Sequence, residues 1–122
     1  MNNHLSGKVI GLAIDVHREL GPGLLENAYE EALSFELGRA GVFFERQLSL
    51  PVNYKGQLLD CKYQMDIVVE KQLVLELKAV EQLIPIHQAQ LLTYLKLSGI
   101  SLGLLINFNE LVLRQGIKRL IL

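Results

Sequence analysis

Apolar and polar positions follow two periods along this chain, and the changes of period predict its elements. Val9, Ile10, Ala13, Val16, His17 and Leu20 recur at the spacing of one helical face, so residues 7–20 are expected to be a helix. Ser6 stands where an N-cap is expected, and Gly21-Pro22 stops the element. A second helix is expected over residues 24–40, with Leu25, Ala28, Tyr29, Ala32, Leu33, Phe35 and Leu37 on its apolar side and Gly41 after its end. Residues 42–54 alternate loosely, as a strand does, with Pro51 near the close. Tyr54-Lys55-Gly56-Gln57 reads as a turn, and residues 58–69 and 73–79 as two more strands. Pro85 opens a third helix that reaches Leu97 and stops at Ser98-Gly99. Residues 101–108 read as a buried strand, Asn109-Glu110 as a turn, and Leu111 onward as a last strand. The order ααβββαββ predicts one domain over residues 1–122, a mixed sheet flanked by helices, of class α/β (α+β).

The richest segment is Gln64–Lys78. Met65, Ile67 and Val69 alternate with Gln64, Asp66 and Val68, and Leu73, Leu75 and Leu77 alternate with Val74, Glu76 and Lys78. Two period-2 runs around Glu70-Lys71-Gln72 form an antiparallel hairpin. If the apolar sets share a face, Val69 pairs with Leu73 and Ile67 with Leu75. Asp66 then faces Glu76 and Lys78 faces Gln64, with Cβ atoms ~5 Å apart across the pair. Adjacent carboxylates repel unless a cation neutralises them; a divalent metal does so, and a nearby lysine adds a fixed charge for a developing oxyanion. An exposed hairpin face with an ordinary Asp–Lys or Glu–Lys pair has the same local pattern.

Composition narrows the partners. Half of the 122 residues are hydrophobic and a fifth charged, with a net charge of −1 and no clustering of Lys and Arg. Tight electrostatic binding of nucleic acid through a basic patch is therefore not expected. The apolar excess, and the four apolar residues of the closing Ile117-Lys118-Arg119-Leu120-Ile121-Leu122, predict a homodimer; a covered final strand has the same signature. The lone Cys61 precludes an internal disulfide, fits no zinc-ligand spacing and suits a reducing cytoplasm. The start of the chain has no signal-peptide pattern, and no run approaches the ~20 apolar residues of a membrane span. No Gly-rich phosphate loop or Gly-x-Ser-x-Gly elbow points to a small-molecule cofactor or a serine nucleophile.

Two helical motifs add polar groups. Glu26 and Tyr29, three apart at the start of the second helix, share a face; dipole complementation and core packing are their ordinary roles. Gln90 and Tyr94, four apart on the third helix, form a polar stripe, with His87 one turn earlier as a capping or surface residue.

Asp66, Glu76-Leu77-Lys78 and Gln90-Leu91-Leu92-Thr93-Tyr94 together resemble the motif set of the PD-(D/E)XK nuclease superfamily, and the Gln-x-x-x-Tyr helix resembles its RecB-related branch. Gly23 through Tyr29 looks like the Gly-x-x-Glu-x-x-Tyr signature of the small GxxExxY proteins of that superfamily, as do the phrases VHRELGPGLLENAYEEAL and LLINF. The resemblance spans residues 6–122. It implies a restriction-endonuclease-like αβββαβ core with an extra N-terminal helix, and metal-dependent phosphodiester hydrolysis of DNA, with RNA as the second candidate, in repair or processing. It implies Asp66 and Glu76 as ligands of Mg²⁺ or Mn²⁺, Lys78 as the group that orients water or stabilises charge, and Glu26 as a third carboxylate. Gln90, Tyr94 and Tyr29 would then contact substrate. One departure is Gln64-Met65-Asp66, which stands where an Arg-x-Asp approach is expected and removes a cation near the substrate. The alternative is a non-catalytic nucleic-acid- or protein-binding module that retains the fold.

Overall fold

A computed structural model describes residues 3–122. The elements in order are α1 (Asn3–Leu20), α2 (Glu26–Arg39), β1 (Phe44–Leu50), β2 (Asn53–Tyr54), β3 (Gln57–Leu58), β4 (Tyr63–Val69), β5 (Leu73–Lys78), α3 (Pro85–Ser98), β6 (Leu102–Asn107), a 3₁₀ turn (Leu113–Gly116) and β7 (Ile117–Ile121). Five strands form the main sheet in the order β1-β4-β5-β6-β7, while β2 and β3 pair as a separate small hairpin. Only β5 and β6 run parallel; the other neighbours are antiparallel. The parallel pair needs a crossover, and α3 supplies it.

Several boundaries differ from expectation for local reasons. α1 starts before Ser6, whose hydroxyl donates to the Asn3 carbonyl inside the helix and caps nothing. The strand expected over residues 58–69 is split. Lys55 and Gly56, both at positive φ, close the tight β2–β3 hairpin, and β4 begins only at Tyr63. The last strand starts at Ile117, because Leu113–Gly116 first winds into the 3₁₀ turn.

The hairpin register is the one the alternation requires, Ile67 opposite Leu75 and Val69 opposite Leu73. The second face of that hairpin is not solvated. One face packs Ile67, Val69, Leu73, Leu75 and Leu77 against α1 and α2, through Val9, Ala13, Val16, Leu33 and Leu37. The other packs Val68, Val74 and Leu105 against Leu91, Tyr94 and Leu95 of α3. Gly103 permits this approach, since a Cβ there would lie 3.1 Å from the methyls of Leu91. The sheet is thus a central layer between helices, and a polar side chain on either face is desolvated unless it lies near a strand end.

Candidate active site at the end of the central strands

Asp66 occupies a break in two ladders. On one side β1 pairs Arg46 with Ile67 and Leu48 with Met65, leaving Gln47 and Asp66 unpaired between them. Gln47 sits at φ 49°, a left-handed conformation that costs a non-glycine residue of order 1 kcal/mol. Its side-chain amide donates to Glu30 Oε1 at 2.7 Å, which holds it there. On the other side the β4–β5 ladder reaches only Ile67–Leu75, so the expected pairs Asp66–Glu76 and Gln64–Lys78 do not form as backbone pairs.

Carboxylates take the place of the missing carbonyls. The Asp66 N–H donates to Glu76 Oε1 at 3.2 Å, and the Leu77 N–H donates to Asp66 Oδ2 at 2.8 Å. The two acidic side chains are therefore interleaved between the strands. Glu76 is 5% exposed and follows Val74 on the face covered by α3, while Asp66 is half-buried. An exposed hairpin face is excluded by that burial.

The electrostatics follow from desolvation. Burial and then the adjacent Asp66 push the Glu76 carboxyl up to about 8. Burial also raises Asp66, against the Leu77 N–H and with further repulsion from Glu30. Lys78 lowers both carboxyls through its charge, yet among the described residues it makes no ion pair within 4.0 Å of either. Its strand end is pinned from behind by buried Asn107. That side-chain amide accepts from the Val80 N–H at 3.0 Å and donates to the Val80 carbonyl at 2.9 Å, imitating a strand neighbour.

Glu26 lies at the first turn of α2, where its Oε2 accepts the Ala79 N–H at 3.4 Å. It raises Asp66 and Glu76 only as the last of their causes. Among the described residues no group of three His, Cys, Asp or Glu side chains is gathered to hold a metal ion. The expected cluster of three carboxylates is thus a close pair with Glu26 set apart at the strand end. The pair still suits a hard divalent cation, which accepts one or two carboxylates and keeps several waters. Its own chemistry points the same way, because two desolvated acids meet without a paired cation.

Tyr29 is a correction to the substrate-contacting set. It is fully buried and stacked on Phe108 with ring centroids 4.5 Å apart. Its hydroxyl donates to the Gly21 carbonyl at 2.6 Å and accepts the Leu24 N–H at 3.1 Å. Tyr29 therefore fixes the loop that delivers Glu26 and has no group left for a substrate. Gln90 donates to the Tyr94 hydroxyl at 3.2 Å. Burial and then Glu76 raise the Tyr94 hydroxyl, which sets Tyr94 within the field of the carboxylates. His87 is a cap: its Nδ1 accepts the Ile84 N–H while its own N–H donates to the Ile84 carbonyl, both at 3.0 Å.

Sequence reasoning passed over Glu30, Gln47 and Asn107, which shape the site from behind. Glu30 sits four residues after Glu26, one turn along α2, a spacing that signals only a shared face. No curated protein and no solved structure matches the chain. The sequence model of the PD-(D/E)XK nuclease superfamily matches residues 3–120, and three helices around a mixed five-stranded sheet agree with its restriction-endonuclease-like fold. An Asp on β4, a Glu-x-Lys on β5 and a match over nearly the whole length lead to one conclusion: the chain belongs to the PD-(D/E)XK nuclease superfamily.

Proposed function

We propose that the protein is a metal-dependent nuclease that hydrolyses phosphodiester bonds, with DNA as its substrate in repair or processing. The observation that carries this reading is the Asp66–Glu76 pair, desolvated and interleaved, with Lys78 beside it. Asp66 and Glu76 would hold Mg²⁺ or Mn²⁺, which when bound polarises a phosphoryl oxygen and lowers the pKa of its water. Lys78 presents a fixed positive charge to the attacking water and to the non-bridging phosphate oxygens. Glu26, exposed at the end of β5, accepts a proton or a water from the same side. Gln90 and Tyr94 hold the substrate strand on the α3 side. The segment Gly23, Glu26 and Tyr29 supports assignment to the GxxExxY branch, with Tyr29 acting on the loop and not on substrate.

The lone, exposed Cys61 supports a reducing cytoplasmic setting. Exposed Ile121 and Leu122 at edge strand β7 support a homodimer, for which light scattering over a concentration series should give twice the 13.7 kDa monomer mass. The nuclease is tested by incubating wild type and Asp66→Asn with branched and single-stranded oligonucleotides in Mg²⁺ or Mn²⁺, beside calorimetric metal titration. Cleavage and metal binding are expected in wild type and lost together in Asp66→Asn. Neither in wild type would leave a binding module on a nuclease fold.

A further inference from the structure

A pocket of about 270 Å³ opens where α3 meets Tyr63 of β4, lined by Val52, Tyr63, Gln90, Thr93, Tyr94 and Leu97. Two of these residues tie it to the site. Tyr94 packs in one buried cluster with Met65, which adjoins Asp66, and Val74, two residues before Glu76, and Tyr63 precedes Asp66 by three residues on β4. Tyr63 is 46% exposed and meets Tyr94 edge to face, with centroids 6.4 Å apart and planes at 60°. No lining residue is charged, so the pocket is unsuited to a phosphate. Its apolar walls, with an amide, a threonine hydroxyl and two phenols, suit a flat heteroaromatic ring with hydrogen-bonding edges. The volume lies just below the usual range for drug-sized ligands and fits one ring system.

We propose that this pocket takes an unpaired nucleobase of the substrate strand, stacked on Tyr63, so that the enzyme acts on single-stranded or locally unpaired nucleic acid. The inference rests on the nuclease reading and deepens it by naming the substrate class. It accords with the charge pattern: without a basic patch, stacking on an aromatic ring supplies affinity that phosphate contacts do not. A base inside a duplex is stacked on both faces and must be extruded before it can enter.

The test measures anisotropy of labelled oligonucleotides in EDTA, where metal-dependent hydrolysis is stopped. The probes are a single strand, a blunt duplex and a duplex with one bulged nucleotide. Wild type is expected to bind the single strand at least ~10-fold tighter than the blunt duplex, and Tyr63→Ala to weaken the single strand by ~10-fold while Tyr63→Phe keeps it. Thr93→Trp, which fills the pocket from exposed helix surface, should repeat the loss if Tyr63→Ala does not fold. A bulged duplex that binds like the single strand assigns the site to extruded bases; one that binds like the blunt duplex assigns it to continuous single strands. Equal affinity for single strand and duplex, no binding at all, or a single-strand affinity unmoved by these variants overturns the proposal. Mn²⁺ calorimetry on the same proteins separates the two readings. Metal-dependent cleavage of duplex that ignores Tyr63→Ala sinks the pocket and leaves the nuclease. Tyr63-dependent binding with no metal uptake sinks the nuclease and leaves the pocket.

Discussion

Two carboxylate sites adjoin this sheet, Glu30 on α2 and the Asp66–Glu76 pair between β4 and β5, and they are built on opposite terms. Glu30 on α2 is 8% exposed but fully compensated. Its Oε2 accepts Arg46 Nε at 3.1 Å and Nη2 at 2.9 Å, and its Oε1 accepts Gln47 at 2.7 Å. Arg46 also reaches Glu31 at 2.9 Å, and that bond leads the causes that raise its pKa. Glu76 is as deeply buried and receives one backbone N–H, with another acid as its neighbour. A compensated buried acid is scaffold: it holds Gln47 in its left-handed turn and so keeps β1 from pairing with Asp66. An uncompensated pair is held at a free-energy cost that the rest of the fold sustains, and that cost falls when a cation arrives.

The largest effects should come from the uncompensated side. Glu76→Gln should lower metal-dependent cleavage by ~10³-fold or more, since it removes a ligand of the group that stabilises the transition-state charge. Lys78→Ala should cost ~10²–10³-fold in kcat with metal affinity retained. A single-turnover assay beside calorimetry separates these two, and unchanged cleavage in either variant breaks the comparison.

Stability should then respond to pH and metal together. Glu76 titrates near its ordinary 4.5 when unfolded and at about 8 when folded, so the folded state binds more protons between those values. Metal-free stability should therefore fall as pH rises from about 4.5 to about 8. Added Mg²⁺ should restore it by about 2.7 kcal/mol near pH 8 at a concentration 100-fold above its Kd there, with the effect fading as pH falls below about 8 and Glu76 keeps its proton in the folded state. Thermal melts across that range read it directly. Glu76→Gln should flatten both dependences, and a metal shift that persists in the variant would place the metal elsewhere.

On the compensated side, Arg46→Met strands the Glu30 carboxylate and should destabilise by about 1–3 kcal/mol; the full cost of breaking a buried pair is not reached because the Arg46 side chain is 35% exposed. A melt that does not move would show that Glu30 is no better compensated than Glu76. The smallest effect is that of Tyr29→Phe. It deletes the hydroxyl that ties Gly21 to Leu24 and should cost about 1 kcal/mol, with cleavage falling less than in Lys78→Ala. A Tyr29→Phe protein with normal stability and weakened substrate binding would return Tyr29 to the substrate surface.

Much of this was written in the local pattern. The order of the three helices and the five main-sheet strands, the Ile67–Leu75 register and the placement of Asp66 near Glu76 follow from periods of 3.6 and 2 and from punctuation by Gly and Pro, which act within a few residues; the same pattern leaves His87 as a capping or surface residue and does not separate the β2–β3 hairpin. What only the tertiary structure decided depends on neighbours distant in the chain. Nothing near residue 76 tells that α3 covers its face, yet that cover turns an ordinary Glu into an acid with a pKa near 8. Nothing in Gln47 announces a positive φ, because a glutamine adopts it only where Glu30, 17 residues away, accepts its amide. Tyr29 and Glu26 lie on one helical face, but the loop at Gly21–Leu24 claims the tyrosine while Ala79, 53 residues on, receives the glutamate. Spacing sets which side chains can share a face; burial and the partners that packing brings determine which of them stay charged, exposed and free to react.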